Sequence, residues 1–346
     1  MPMTMPTPTH TQAVVNRPMV STAVLVTGSL LLLASIAMAV SVGAADIAVA
    51  HVWKALVAYD SSQETHQIIM SIRLPREIGA AFVGAALAVS GAIMQGVTRN
   101  PLADPGLLGL HAGASLALAC VLAFGAAPNY ATIMLVCFLG AGIGAALVFG
   151  LGSLRRGGMT PASITLAGAA VTALFTALAE GIALFFNLSQ EITFWIAGGV
   201  SGTNWLQLSV LIPVVLAGIL TAIWQANNVT LLSFGEEVAK GLGQQTVRTK
   251  AILLVVVLIL SGASVAIVGS IAFFGLLVPH MIRPLVGTDY RWIIPCSAVY
   301  GGMFLVLADT AARMVNPPFE TPLGAVVALV GVPIFLILTR RTGRGV

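Results

Sequence analysis

The chain has 346 residues, of which 58% are hydrophobic and only 8% charged. A water-soluble domain carries roughly a quarter charged residues, so this chain cannot cover a water-facing surface. Its formal charge of +4 comes from basic residues set singly or in pairs between apolar runs, a pattern that argues against a nucleic-acid partner and reads as a topology signal.

In chain order, residues 1–19, rich in Pro and Thr, are expected to be a disordered cytoplasmic N-terminus. Apolar runs of spanning length then predict an all-α, polytopic membrane protein with about ten transmembrane helices. They fall at 20–42, 76–97, 105–124, 130–152, 161–186, 204–226, 248–269, 273–285, 292–312 and 322–339. The first run is too long for the apolar core of a signal peptide and is read as an uncleaved span. The third and eighth are short and interrupted by Gly or Pro. Residues 20–340 are predicted to form one transmembrane domain, followed by a cytoplasmic tail at 341–346. Only the connections 43–71, 187–203 and 227–247 are long. The 36 glycines suit helices packed closely through small residues. Cys120, Cys137 and Cys296 show no metal or disulfide spacing and read as small core side chains.

With the N-terminus in the cytoplasm, 12 of the 16 Lys and Arg residues fall inside, which sets the orientation. The exceptions are Lys54, Arg73, Arg76 and Arg313. Two of them flank Leu-Pro in the segment "SIRLPRE", which raises the question of what holds positive charge on the outer side.

The sequence also repeats itself. Ser90-Gly91-Ala92 precedes Gly106-Leu107-Leu108 and His111, and Ser261-Gly262-Ala263 precedes Gly275-Leu276-Leu277 and His280. An odd number of spans separates the copies, so they are expected as an inverted repeat containing broken helices, a mark of transport proteins. There is no Gly-Lys-Ser/Thr phosphate loop, no His-Glu-x-x-His and no clustering of histidines that would hold a metal. Glu180 is the one clear carboxylate deep in the predicted spans; it reads first as reaching water near the outer end of its helix and second as a candidate pathway residue, the group a proton-coupled secondary transporter would need. In the loop "NNVTLLSFGEEVAKGLGQQTV" (227–247), Leu231, Phe234, Val238 and Leu242 share the spacing of one helical face. The adjacent acids suit a protein groove better than an anionic lipid surface.

Four segments resemble the FecCD family of ABC importer permeases: "RLPREIGAAFVGAALAVSGAIMQGVTRNPLADPGLLGLHAGA", "FGEEVAKGLG", "FFGLLVPHMIR" and "ETPLGAVVALVGVPIF". The resemblance covers residues 20–340 in the same order. It implies a BtuC-like permease fold in the bacterial inner membrane, a dimer with a second copy or paralogue, and two separate ATPase subunits that carry ATP and Mg²⁺. It implies a periplasmic or lipid-anchored binding protein as well, while this chain has no catalytic residue and binds no cofactor or metal. Arg73, Arg76 and Arg313 would receive acidic side chains of the binding protein. Glu236, Glu237, Ala239, Lys240 and Leu242, in a coupling loop at about 229–245, would engage the ATPase. Asn100, Leu102 and Thr160 match a cytoplasmic gate. The cargo implied is an iron chelate, foremost a ferric siderophore, with haem and cobalamin as alternatives.

Overall fold

Inside lipid no water satisfies backbone N–H and C=O groups, so an apolar run of this length must satisfy them within itself, as a helix. The computed structural model describes residues 17–42, 49–125, 129–153, 161–316 and 319–342. Ten apolar helices account for the predicted spans: α1 (Pro18–Ser41), α4 (Leu74–Thr98), α5 (Leu110–Phe124), α6 (Tyr130–Ser153), α7 (Pro161–Phe185), α9 (Trp205–Trp224), α12 (Thr246–Val268), α13 (Phe274–Val286), α14 (Tyr290–Val315) and α15 (Leu323–Thr342). Seven of them are long and apolar enough to cross a membrane, while α5, α13 and α15 contribute shorter apolar stretches. The long connections carry short helices: α2 (Val49–Val57) and α3 (Glu64–Ile68) in the first, α8 (Ser189–Ile196) in the second, α10 (Ala226–Ser233) and α11 (Glu236–Gly241) in the third.

Helix starts follow local chemistry. Asn204 and Gln207 form a reciprocal capping box at the head of α9, which satisfies two otherwise orphaned groups. Asp289 caps α14 by accepting from the Arg291 N–H at 3.0 Å. Before α4, residues Ile69–Arg73 form a turn of π-helix. Pro75, which has no N–H and whose ring crowds the preceding turn, accounts for that widening.

The core is built around α4. In the span containing α4, 83% of the most apolar window is buried, against 22% in α1, so α4 is enclosed by other helices while α1 keeps a face for lipid. Helices α9, α12, α13 and α14 all pack on α4, and α5, α6 and α7 pack on one another beside it. Two glycine pairs set the closest approaches. A Cβ on Gly84 would overlap the Gly301 carbonyl of α14, and one on Gly91 would overlap the Gly275 carbonyl of α13. Backbones this close gain dispersion contact where hydrophobic driving force between helices is lacking.

The two repeat copies lie in α4–α5 and α12–α13, and Gly91 of the first rests on Gly275 of the second. Both have a left-handed residue at the entry to the short helix, but at different registers. In the first it is Gly109, after the Gly-Leu-Leu; in the second it is Phe273, before it. The copies therefore correspond in element order and differ in where the chain breaks.

One expectation is corrected. Leu231, Phe234, Val238 and Leu242 do not share one helix, because α10 ends and α11 begins around Gly235, whose φ of 130° is open to glycine and costly for other residues. Cys137 and Cys296 are buried and unpaired, and Cys120 is half-buried.

Candidate functional site

The face where α4 begins gathers the three arginines expected on the outer side, Arg73, Arg76 and Arg313, and leaves little of their side chains in solvent. Arg76 presents one edge of its guanidinium to Asp309 of α14, with Nε and Nη2 each 2.9 Å from a carboxylate oxygen. Its Nη1 donates to Glu320, in the loop before α15, at 2.5 Å. Arg313 donates to Glu77 at 2.5 Å and to the Val42 carbonyl at 3.1 Å, and its Nε lies 3.2 Å from Asp309. Arg73 donates to the Val40 carbonyl at 2.9 Å, at the end of α1. Trp205 ties the head of α9 to the same turn by donating to the Met70 carbonyl at 2.7 Å.

Two guanidinium groups, Arg76 and Arg313, thus meet three carboxylates, Glu77, Asp309 and Glu320, while Arg73 donates to carbonyls at the end of α1. This answers the question raised by "SIRLPRE". Charges of this density are tolerated at a membrane protein's rim because they neutralise one another within the chain. The resemblance implied arginines receiving carboxylates from another protein; here each already has acceptors of its own. Glu320 is the one carboxylate of the cluster with an exposed side chain, at 46%, against 1% for Asp309. Beside it opens a cavity of about 210 Å³, walled by Arg76, Asp309, Glu320, Trp195, Gly198 and Leu323.

Sequence reading allows Glu77 as a partner of Arg73, one helical turn away, and misses Asp309 and Glu320. Glu180 is exposed on α7, in keeping with the reading that it reaches water, whereas Asp309 is the buried acid of the predicted 292–312 span. A signal was present: Asp309 and Arg313 stand four apart on one helix, the spacing at which opposite charges meet.

On the opposite face, α10 and α11 form a bent element between α9 and α12. Thr230 of α10 accepts from the Tyr290 N–H at 3.0 Å, and Gln244 donates to the Asn228 carbonyl at 3.1 Å. Burial raises the Asp289 carboxyl and pairing with Arg291 lowers it; the pairing prevails and leaves it below its ordinary value. Glu236 turns inward, 2.5 Å from Lys250 of α12 and 3.1 Å from Lys240. The hydrogen bond from Lys250, then that from Lys240, holds its carboxyl down at about 2. Ala239 is fully buried and seats α11 on the core, so it lies on the side away from any docking protein. Glu237 and Lys240 are exposed, as are Leu242 and Val238, at 65% and 50%. Val238 completes the outward face of α11. A cleft of about 620 Å³ lies behind this element, between Arg99, Thr98, Ile164, Glu236, Val247 and Lys250.

Asn100 and Leu102 are on the same face. The Asn100 side chain accepts from the Leu102 N–H at 2.9 Å, a local turn that leaves Leu102 exposed. Thr160 lies outside the described residues. His280 packs its ring against Phe335, with centroids 6.3 Å apart, and no group of three metal-binding side chains occurs among the described residues.

Comparison with known proteins agrees with this architecture. Residues 31–341 match the model of the FecCD transport family. The chain is 50% identical over 322 residues to the iron(3+)-hydroxamate import system permease protein FhuB of Bacillus subtilis (strain 168), covering 93% of this chain and 84% of that one. It is 38% identical over 329 residues to the ferric enterobactin transport system permease protein FepD of Escherichia coli (strain K12), covering 94% and 98%. A solved inward-facing conformation of an ABC transporter, assigned to the metal-chelate type, superposes with a TM-score of 0.80 at 27% identity, covering 92% of this chain and 99% of that one. By the family match, by full-length relatives and by shared fold, this chain belongs to the FecCD transport family.

Proposed function

We propose that this chain is the transmembrane permease subunit of an ABC importer, and that it passes a ferric hydroxamate siderophore from an outer binding protein to the bacterial cytoplasm. The observation that carries the substrate is the 50% identity over 93% of the chain to a permease named for iron(3+)-hydroxamate import, against 38% to one named for ferric enterobactin. On this reading the arginine face is outside and both termini are inside, in keeping with the distribution of Lys and Arg. The chain changes no bond itself and binds no cofactor. Two ATPase subunits hydrolyse ATP with Mg²⁺, and a second permease copy or paralogue completes the pathway.

The outward side chains of α11 and its C-cap, Glu237, Val238, Lys240 and Leu242, suit a groove on the ATPase. Glu236 and Ala239 hold α11 in place beneath them. Seating the ATPase there moves a short element tied to α12 by Lys250, and two packings of such an interface supply the alternation of access. Asn100, Leu102 and Thr160 are assigned to the inner mouth. Glu180, exposed on α7, is available to the pathway between two copies. Arg73, Arg76 and Arg313 organise the outer rim where the binding protein docks.

The test is uptake by proteoliposomes containing the permease, its captured ATPase and its binding protein. Radioiron is offered as a hydroxamate, catecholate or citrate chelate, with haem and cobalamin as competitors. ATP-dependent uptake of the hydroxamate is expected. Uptake by the permease alone along a proton gradient would establish a secondary transporter instead.

A further inference from the structure

We propose that Glu320 is a displaceable internal carboxylate, holding on Arg76 the position that an acidic side chain of the binding protein takes on docking. This rests on the outer-rim reading above and adds an exchange that the reading does not contain.

The geometry separates the two acceptors of Arg76. Asp309 grips the Nε–Nη2 edge with both oxygens at 2.9 Å, from within α14, and is 1% exposed. Such a bidentate, water-excluded pair is the strong kind. Glu320 reaches only Nη1, through one oxygen, from a loop, with nearly half its side chain in solvent. An ion pair that exposed is worth little. Of the two carboxylates, only Glu320 can leave for water at small cost. Exchange for another carboxylate keeps the buried guanidinium paired throughout, avoiding the penalty of a lone buried charge. Arg313 offers no equivalent opening, because the carboxylates it meets, Glu77 and Asp309, are buried, and its other partners are the Thr310 hydroxyl and carbonyls at the end of α1.

Position gives the exchange a consequence. Glu320 stands three residues before the first residue of α15 and walls the 210 Å³ cavity beside Trp195 and Gly198. The segment after it is held by backbone bonds of 3.3 Å, Thr321 to Ala312, and 3.4 Å, Gly324 to Ala197. When Glu320 is displaced, the segment leading into α15 loses its ion pair with Arg76 of α4. Docking outside is thereby linked to freedom of a spanning helix.

The test measures binding-protein affinity for the permease–ATPase complex in nanodiscs, using the binding protein captured from the native membrane. Glu320→Gln removes the competing charge and is expected to tighten docking about two- to five-fold. Arg76→Lys, which keeps charge but loses the fork, is expected to weaken it. A fluorophore on Phe319→Cys, an exposed position, should change its signal when the binding protein is added. If neither Arg76→Lys nor Glu320→Gln alters affinity, docking does not use this rim. If Arg76→Lys weakens docking while Glu320→Gln leaves it unchanged or weaker and the Phe319 probe is silent, the rim stands and the exchange is overturned. Retained ATPase attachment in each variant separates these outcomes from misfolding.

Discussion

On the arginine face, the side chains of Arg76 and Arg313 are 9% exposed; on the opposite face, those of Lys240 and Glu236 are 58% and 35% exposed. Both faces are made from the same ingredients, acid paired with base at hydrogen-bond distance. Solvent decides what the pairs do. Where water is excluded, each partner depends on the other, since a lone buried charge is costly. Where water has access, the pair contributes little and the side chains remain free to be used by another protein. The first face is therefore a structural joint between α1, α4, α14 and α15 that admits change at one exposed point. The second is a lightly tied element with apolar side chains turned outward.

The sharpest way to break this contrast is Asp309→Ala. It strips Arg76 of its bidentate partner and Arg313 of a nearby carboxylate, and should cost about 3–5 kcal/mol, read as a fall in the thermal unfolding midpoint in detergent. A loss below about 1 kcal/mol would place the arginine face with the exposed pairs. A smaller effect is expected at Glu236. Its carboxyl is held at about 2, below the ordinary 4.5, so its contribution is complete above pH 4.5 and disappears as pH falls through about 2. Protection from amide exchange across 236–241, taken relative to the unstructured rate at each pH, should therefore hold down to pH 4 and fall only on stronger acidification, while Glu236→Gln should lower it at neutral pH. The smallest effect on stability is expected from the double variant Val238→Ser and Leu242→Ser. Both side chains are exposed, so unfolding should move by no more than about 0.5 kcal/mol, yet retention of the ATPase in pull-down should fall clearly. Undiminished retention would remove α11 as the seat.

Legibility followed the same division. The ten spans were readable because each is a local run of apolar residues, and the short third and eighth declared themselves through Gly and Pro. The start of α9 was readable to within a residue, and the loop at 227–247 was readable as carrying a short apolar-faced element. Its bend at Gly235 was harder, because the spacing of Leu231, Phe234, Val238 and Leu242 fits an unbroken helix equally well. At the rim, the arginines and the nearby Glu77 were readable, but Asp309 and Glu320 were not. Arg76 and Asp309 are 233 residues apart, and Arg76 and Glu320 are 244 apart, distances across which no local pattern speaks. Glu180 attracted attention by standing in an apolar run, but isolation in sequence says nothing about which way a helix turns.

Sequence alone determined that this chain spans a membrane many times, which way it is predicted to lie and which family it resembles, since those depend on local hydrophobicity, charge placement and contiguous motifs. Only the tertiary structure decided which charges are spent on each other and which remain available. Pairing and desolvation are properties of neighbours in space, and the helices that bring Arg76 to Asp309, or turn Ala239 inward and Val238 outward, meet only when the chain is folded.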